Sequence, residues 1–297
     1  MIKYLLSHFS HPFFSQVIDL IPIKSGYSKD RKFKVVTNDY STFFLRVHIG
    51  SSTHKIKHEY DLLYDLHRNG LNVSKPILYE IGNECAALVT TWIEGDILAN
   101  HITKLSIQEQ TLLGEKAALL LRYMHYLTNQ SENNQSFYIR KIAESTIDFD
   151  LPEMKNELNC IQEFINNHIQ LLYEKPFVIE HSDFHLGNLI LCDSLYLIDF
   201  NGSHVGSIYD EFYKLELFDI EISRHYVKSM INTYFSSDER FTFFKIHRLY
   251  LAIACVNALR YGLQKDKVTL NKEIMRVKRI LYDYDNFHLT YPLWYRL

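Results

Sequence analysis

The sequence predicts an α+β protein whose strands come first and whose helices follow. Short apolar segments that alternate with polar residues, separated by turn residues, dominate the first part of the chain. Farther on, long segments carry apolar residues at a spacing near 3.6, the period of an α-helix. We therefore expect an N-terminal antiparallel sheet with one helix and a larger, mainly helical C-terminal part. The two parts divide near Trp92, into residues 1–92 and 93–297.

The N-terminal sheet is predicted to begin with a short helix, a strand and a hairpin. Residues 14–23 fit the short helix and the strand, and residues 33–37 and 42–47 alternate around a turn at Asn38. A polar loop with one glycine, residues 24–30, precedes the hairpin. This loop matches neither GxGxxG nor GxxxxGKS, so it indicates neither a protein-kinase glycine loop nor a P-loop.

A lone cation, Arg46, stands near the end of the apolar strand of that hairpin. A cation in an apolar setting needs an anionic partner, and both phosphate and carboxylate qualify. The helix predicted at residues 53–69 offers Glu59. In kinases a strand lysine and a helix glutamate form an ion pair that orients the nucleotide phosphates. Arg46 and Glu59 fit that role, and they also fit a purely structural salt bridge.

A second hairpin, residues 77–81 and 86–93, completes the predicted sheet, and helices follow it. The apolar spacing predicts helices at residues 112–127, 158–173, 241–264 and 272–282. His125 falls within the first of them, where a packed, hydrogen-bonded histidine is expected. The polar stretch 128–136 is interpreted as a surface loop.

Residues 181–200, HSDFHLGNLILCDSLYLIDF, place three polar residues on an otherwise apolar strand–loop–strand–turn–strand segment. Asp183 and Asn188 share the loop, and the hairpin that follows is expected to return Asp199 to the same end. Phosphoryl transfer needs such a set. One carboxylate accepts the proton of the attacking hydroxyl, and an amide with a second carboxylate holds Mg²⁺ on the nucleotide phosphates.

Two other interpretations of this segment stay open at this point. The three residues could cap turns and strand ends for structural reasons alone. Alternatively, His181 and Asp183, with His185 or a distant histidine, could form a facial triad on non-haem iron. That triad would leave Asn188 and Asp199 without a role.

HSDFHLGN followed by LIDF resembles the HxDxxxxN and IDF motifs of the aminoglycoside phosphotransferase and choline kinase-like family. This family is the small-molecule branch of the protein-kinase-like fold. The resemblance implies a bilobal α+β fold, with residues 1–92 as the nucleotide-binding lobe and residues 93–297 as the catalytic and substrate-binding lobe.

The resemblance also implies a role for each motif residue. Asp183 would be the catalytic base, while Asn188 and Asp199 would hold Mg²⁺. Arg46, oriented by Glu59, would hold phosphate; it stands where the kinases have lysine, which differs from arginine in geometry.

The resemblance implies roles for further positions, although the motifs around them are less specific than HxDxxxxN. The loop with Gly26 and Ser28 would cover the phosphates, and the backbone of Thr91 and Ile93 would contact the adenine edge. Two residues would brace the catalytic loop from behind, namely His181 and Asp210.

Four acidic residues lie within eleven positions after this segment: Glu211, Glu216, Asp219 and Glu221. A cluster of acids could receive a cationic, amine-bearing substrate. A solvated helix face is the competing interpretation.

The net charge of −3 gives no basic surface for nucleic acid, and no lysine or arginine cluster indicates a membrane surface. The four cysteines are scattered without a CxxC pair, as expected in a reducing compartment. No targeting segment or membrane span is visible, so we expect a cytoplasmic protein.

The predicted function is therefore ATP- or GTP-dependent phosphorylation of a hydroxyl group on a small molecule, with Mg²⁺ as cofactor. An aminoglycoside-type antibiotic or another amino alcohol is a candidate acceptor. The alternative is a kinase-like module that binds nucleotide without catalysing transfer.

Overall fold

The computed structural model describes residues 8–23, 30–50, 53–82, 85–128 and 135–296. The chain forms two compact units. The first comprises Met1–Ile97 and Leu189–Asn201, and the second comprises Leu98–Asn188 and Gly202–Leu297. The division into lobes at Trp92 stays a prediction, and it differs from these units in the placement of residues 93–97 and 189–201.

Strands and helices are numbered here in chain order within the described residues. The strands are β1 (Val17–Ile23), β2 (Arg31–Thr37), β3 (Thr42–Ile49), β4 (Pro76–Ile81), β5 (Cys85–Thr91), β6 (Asp96–Ile97), β7 (Phe177–Glu180), β8 (Leu189–Leu191), β9 (Leu195–Leu197) and β10 (His204–Ser207). The α-helices are α1 (His54–Arg68), α2 (Ile107–Leu127), α3 (Gln135–Ser145), α4 (Lys155–His168), α5 (Tyr213–Leu217), α6 (Arg224–Tyr234), α7 (Arg240–Lys265), α8 (Lys267–Asp283) and α9 (Leu293–Arg296).

The first unit is built on a five-stranded antiparallel sheet with the order β1-β2-β3-β5-β4. Both predicted hairpins are confirmed, because β2 pairs with β3 and β4 pairs with β5. Alternation along β3 buries Leu45 and Val47 on one face of the sheet, together with Val35 of β2 and Val89 of β5. Arg46 lies between the two β3 residues and so points to the opposite face.

A small sheet in the same unit joins β6 to β8 and β8 to β9, all antiparallel. Gly95, just before β6, makes this pairing possible, because a Cβ there would lie 2.6 Å from the Leu191 carbonyl oxygen. The β8–β9 hairpin ends at Leu197, two residues before Asp199. The predicted strand–turn–strand segment is thus confirmed.

The second unit is mainly helical. Its helix α2 begins at Ile107, five residues before the predicted start, because Ser106 and Glu109 form a capping box. The predicted helix 158–173 is α4 followed by a 3₁₀ turn from residue 169, and α7 agrees with prediction to within one residue. Among the described residues, no helix has the length and apolarity needed to cross a membrane.

Helix α2 packs closely on α6 at a glycine. A Cβ on Gly114 would lie 2.4 Å from the Tyr226 carbonyl oxygen and 2.9 Å from the Ser229 Cβ. Backbone on one side and a buried side chain on the other leave little room to adjust. Gly114 therefore sets the distance between the two helices.

We expect Gly114→Ala to destabilise the protein by about 1–3 kcal/mol, since overpacking outweighs the gain in helix propensity of about 1 kcal/mol. Thermal unfolding would show a lower Tm than wild type. Gln108→Ala, an exposed change on the same helix, serves as the control and should leave Tm within about 1 °C, because surface changes are nearly neutral. An unchanged or raised Tm for Gly114→Ala would contradict the close packing.

Candidate active site

The loop that follows β7 holds a residue in a strained backbone conformation. Ser182 has φ 64°, in the left-handed region that non-glycine residues rarely adopt. Its hydroxyl donates to the Gly202 carbonyl oxygen at 2.8 Å, and its N–H donates to Glu211 Oε1 at 2.9 Å. These two bonds fix the backbone immediately before Asp183.

Glu211 is the carboxylate that braces this loop. It is buried, and it accepts the N–H of His181 at 2.6 Å as well as that of Ser182. Burial alone would raise the pKa of Glu211, but the hydrogen bond from His125 and the nearby imidazole charges of His125 and His181 lower it. The carboxylate that receives the first two N–H groups of the loop is therefore held in its ionised form.

Asp210 was expected to accept the backbone N–H groups of this loop or a hydrogen bond from His181, but the N–H groups of His181 and Ser182 go to the next residue, Glu211. Asp210 instead accepts from Lys141 Nζ at 2.6 Å. Neighbouring residues in a turn point in different directions, and this turn aims Glu211 at the loop and Asp210 at Lys141. His181 is fully buried beside Glu211, in agreement with a role in holding the loop.

The expectation for His125 is confirmed, since it is a buried and hydrogen-bonded histidine. Its Nδ1 lies 2.6 Å from the Tyr234 hydroxyl, and its Nε2 lies 3.3 Å from Glu211 Oε2. His125 thus connects α2 to the residue that braces the loop.

Asn188 closes the loop on itself. Its Nδ2 donates to the Asp183 carbonyl oxygen at 2.8 Å, and the Leu186 N–H donates to Asp219 Oδ2 at 2.9 Å. Within the described residues nothing donates to Asn188 Oδ1. The side-chain nitrogen is therefore used within the loop, although not in the Asx-turn expected of a purely structural residue, and the side-chain oxygen stays available to bind a cation.

Asp183 is partly exposed and has a lysine and a histidine as neighbours. Lys214 Nζ forms an ion pair with its Oδ1, and His185 Nε2 lies 3.3 Å from the same oxygen. Burial raises the pKa of Asp183, but the bond from His185 and the charge of Lys214 outweigh it and hold that pKa well below its usual value. Asp183 is thus a persistent carboxylate. Nothing in the spacing around Lys214, on α5, predicted this contact.

The interpretation of His181, Asp183 and His185 as an iron triad is wrong. No group of three or more histidine, cysteine, aspartate or glutamate side chains suited to a metal occurs in the described ranges. This absence does not bear on Mg²⁺, because that ion also binds amide oxygens such as that of asparagine.

Three of the four acidic residues after the motif are buried, since Glu211, Glu216 and Asp219 are each only 1% exposed. The fourth, Glu221, is exposed and forms ion pairs with Arg276 and Arg279. Glu216 accepts from the Tyr284 hydroxyl at 2.6 Å and from Trp294 Nε1 at 3.2 Å. The three buried acids satisfy buried donors, and they leave no carboxylate row for a cationic substrate.

In the first unit, Asp199 directly follows the β8–β9 hairpin with φ 68°, also in the left-handed region. Lys32 Nζ, from β2, lies 2.7 Å from Asp199 Oδ2. This lysine was not singled out by the sequence, because 167 residues separate the partners. The predicted convergence of Asp199 with Asp183 and Asn188 stays a prediction.

The Arg46–Glu59 ion pair is confirmed. Arg46 is 2% exposed, pairs with Glu59 of α1, and has its Nε 3.6 Å from Asp30 Oδ2. Burial lowers the pKa of Arg46, against the opposing charges of Asp30 and Asp199. Its Nη1 is buried and has no hydrogen-bond partner among the described residues, so the N–H groups of this atom stay available for an anion.

The structure describes two of the four remaining positions that were predicted to contact the nucleotide, Thr91 and Ile93. The Thr91 N–H donates to the Lys75 carbonyl oxygen at 2.9 Å, so that donor is already used within the sheet. No hydrogen bond to the Ile93 backbone occurs in the described part of the chain. Gly26 and Ser28 lie outside the described residues.

The chain is similar in sequence to one family of known proteins. The family model described as the phosphotransferase enzyme family matches residues 19–244. No curated protein sequence matches the chain.

Several solved structures share the fold at low sequence identity. Amicoumacin kinase hAmiN, solved with AMP-PNP, Ca²⁺ and amicoumacin, has a TM-score of 0.67 at 14% identity, covering 98% of this chain and 93% of that one. Aminoglycoside phosphotransferase APH(4)-Ia, solved with AMP-PNP and hygromycin B, has a TM-score of 0.64 at 12% identity, and the match covers 94% of this chain and 98% of that one. The choline kinase LicA from Streptococcus pneumoniae has a TM-score of 0.60 at 15% identity, and the match covers 89% of this chain and 94% of that one.

Glu211→Gln should destabilise the protein by about 1–3 kcal/mol, because a neutral amide satisfies the buried loop donors less well than a carboxylate does. Amide hydrogen exchange at His181 and Ser182 should become faster. Asp210→Asn is the matched control, since it weakens the Lys141 contact and leaves both loop amides protected. Faster exchange at these amides in Asp210→Asn alone would assign the brace to Asp210 instead.

Proposed function

Because the chain belongs to the phosphotransferase enzyme family and is a small-molecule kinase with a hydroxyl acceptor, we propose that it transfers the γ-phosphoryl group of ATP or GTP. The observation that carries the proposal is the 181–188 loop. It presents one ionised, partly exposed carboxylate, Asp183, on a backbone fixed by Glu211 and closed by Asn188.

Asp183 acts on the acceptor hydroxyl. Its carboxylate accepts the hydroxyl proton as the hydroxyl oxygen forms a bond to the γ-phosphorus, and the bond from that phosphorus to the β,γ-bridging oxygen breaks. The nucleoside diphosphate leaves with the bridging oxygen. Because the pKa of Asp183 is held low, its carboxylate is ionised and can accept a hydrogen bond from the acceptor hydroxyl, which orients that hydroxyl.

The donor set fits Mg²⁺, a hard cation that prefers oxygen ligands. Asn188 Oδ1 and the Asp199 carboxylate would hold it. When bound, the ion neutralises charge on the β- and γ-phosphates. The unused Nη1 of Arg46 would donate to phosphate, and the loop with Gly26 and Ser28 would cover it.

The base of the nucleotide would be bound at the Ile93 backbone. Thr91 contributes less than the sequence predicted, because its N–H is already bonded to Lys75. Backbone contacts of this kind accommodate ATP and GTP alike until a side chain discriminates between them.

For the acceptor we propose a hydroxyl-bearing small molecule, with amino alcohols and aminoglycoside-type antibiotics in the first panel to be tested. Amicoumacin and hygromycin B are bound by two of the solved neighbours, which supports this choice. The acidic residues Glu211, Glu216 and Asp219 do not support this choice, because they are buried. Lys214 beside Asp183 adds positive charge there, so the panel also needs neutral and anionic hydroxyl compounds.

Asp183→Asn should leave the fold intact and lower kcat by at least ~100-fold, the low end for loss of a general base. The measurement is ADP or GDP release across the acceptor panel, with circular dichroism as the check on folding. Asp238→Asn, at an exposed position of the same unit, is the control and should keep wild-type turnover. Near-normal turnover in Asp183→Asn would remove Asp183 from this role, and a wild type that binds nucleotide without any transfer would favour the inactive module.

Lys214→Met should lower kcat about 10-fold or more, because Asp183 loses the charged hydrogen bond that fixes its side chain. Nucleotide affinity should change little. Lys214→Arg should retain most of the turnover, and Lys116→Met, an exposed lysine of the same unit, should retain all of it. Equal kcat in Lys214→Met and wild type would show that the ion pair does not position Asp183.

A further inference from the structure

Two cations of the first unit face the same side of its sheet. Lys32 of β2 and Arg46 of β3 are direct register partners, and opposite residues of paired strands point to one face. Both are largely buried, with side-chain exposures of 11% and 3%. The sheet therefore offers an ammonium and a guanidinium side by side.

The two cations differ in how they are held. Arg46 pairs with Glu59 and lies near Asp30, and Asp30 also contacts His48 at 2.8 Å. Among the described residues, Lys32 has one carboxylate partner, Asp199, at 2.7 Å. Arg46 is thus anchored between two acids that are not proposed to bind the metal, whereas the carboxylate that holds Lys32 within the described ranges is the one proposed to bind it.

Occupation of Asp199 would remove that partner. Mg²⁺ is a divalent ion that prefers carboxylate oxygens, so it competes directly with a single ammonium group for Asp199. A largely buried ammonium left without an anion is strongly unfavourable. Lys32 would then need another anion, and a phosphate of the bound nucleotide would supply one.

Resting on the proposed function, we propose that Lys32 is a ligand of the nucleotide phosphates. It pairs with Asp199 when no nucleotide is present and transfers to a phosphate oxygen when the metal–nucleotide unit binds. Lys32 thereby adds a point charge to the site that Arg46 alone would otherwise serve.

The opposite reading makes Lys32 a fixed structural partner of Asp199 that obstructs the metal. The two readings predict effects of opposite sign. Loss of a phosphate ligand weakens binding of the metal–nucleotide unit, whereas loss of a competitor for Asp199 strengthens it.

The test measures binding of AMP-PNP to the full chain by calorimetry, with Mg²⁺ and with EDTA. Lys32→Met should weaken binding in Mg²⁺ by about 10-fold or more, as expected for loss of a charged hydrogen bond. Lys32→Arg should stay within about 3-fold of wild type because the charge is kept. Lys34→Met is the matched control, two residues along the same strand and on the same face. Lys34 pairs with the exposed Glu94 at 2.7 Å, and because an exposed pair is weak, the affinity of this variant for AMP-PNP should change less than 2-fold.

Adenosine separates a phosphate ligand from a structural residue, since it carries the base without phosphates. Its affinity should be the same for Lys32→Met and wild type. Unchanged or tighter AMP-PNP binding by Lys32→Met overturns the assignment, and so does an equal loss for adenosine and AMP-PNP.

Asp199→Ala distinguishes failure of this inference from failure of the proposed function. In a kinase of the proposed kind, wild type binds AMP-PNP more tightly with Mg²⁺, and Asp199→Ala loses that dependence. If wild type binds no nucleotide, the proposed function and the Lys32 assignment are both overturned. If wild type and Asp199→Ala behave as expected and Lys32→Met does not, only the Lys32 assignment is overturned.

Discussion

The geometry of the candidate catalytic loop depends on one buried carboxylate. Glu211 receives the N–H groups of His181 and Ser182, and so holds the left-handed backbone at Ser182. Backbone strain of this size costs on the order of 1–3 kcal/mol and persists only where the surroundings impose it. Glu211 imposes it here, because unsatisfied buried N–H groups would cost more than the strain does. His125 then links that carboxylate to the long helix α2.

Charge is balanced separately around each of the two proposed site acids. Lys214 neutralises Asp183, and Lys32 neutralises Asp199. Neither lysine belongs to the motif in which the acids were found. Arg46 follows the same rule at a buried position, where Glu59 and Asp30 supply the opposite charge. Each ionised group is therefore stabilised before any ligand binds.

Local patterns were predictable from sequence, and distant pairings were not. Asp183 and Asn188 share one loop, so their spacing alone indicated that they act together. Lys32 is separated from Asp199 by 167 residues, and no periodicity links them. The Asp210 error has another cause, since turn direction decides which of two adjacent acids faces the loop. By contrast, the early start of α2 was available in the Ser106-x-x-Glu109 pattern.

The first compact unit is not a continuous stretch of chain. Leu189–Asn201 belongs to it, although 91 residues of the second unit, Leu98–Asn188, intervene. Cutting the gene after Ile97 would leave β6 without its partner β8, and Val73 without its bridge to Leu197. An exposed strand edge of that kind invites aggregation. Any attempt to express this unit on its own would therefore need residues 189–201 supplied through an engineered linker.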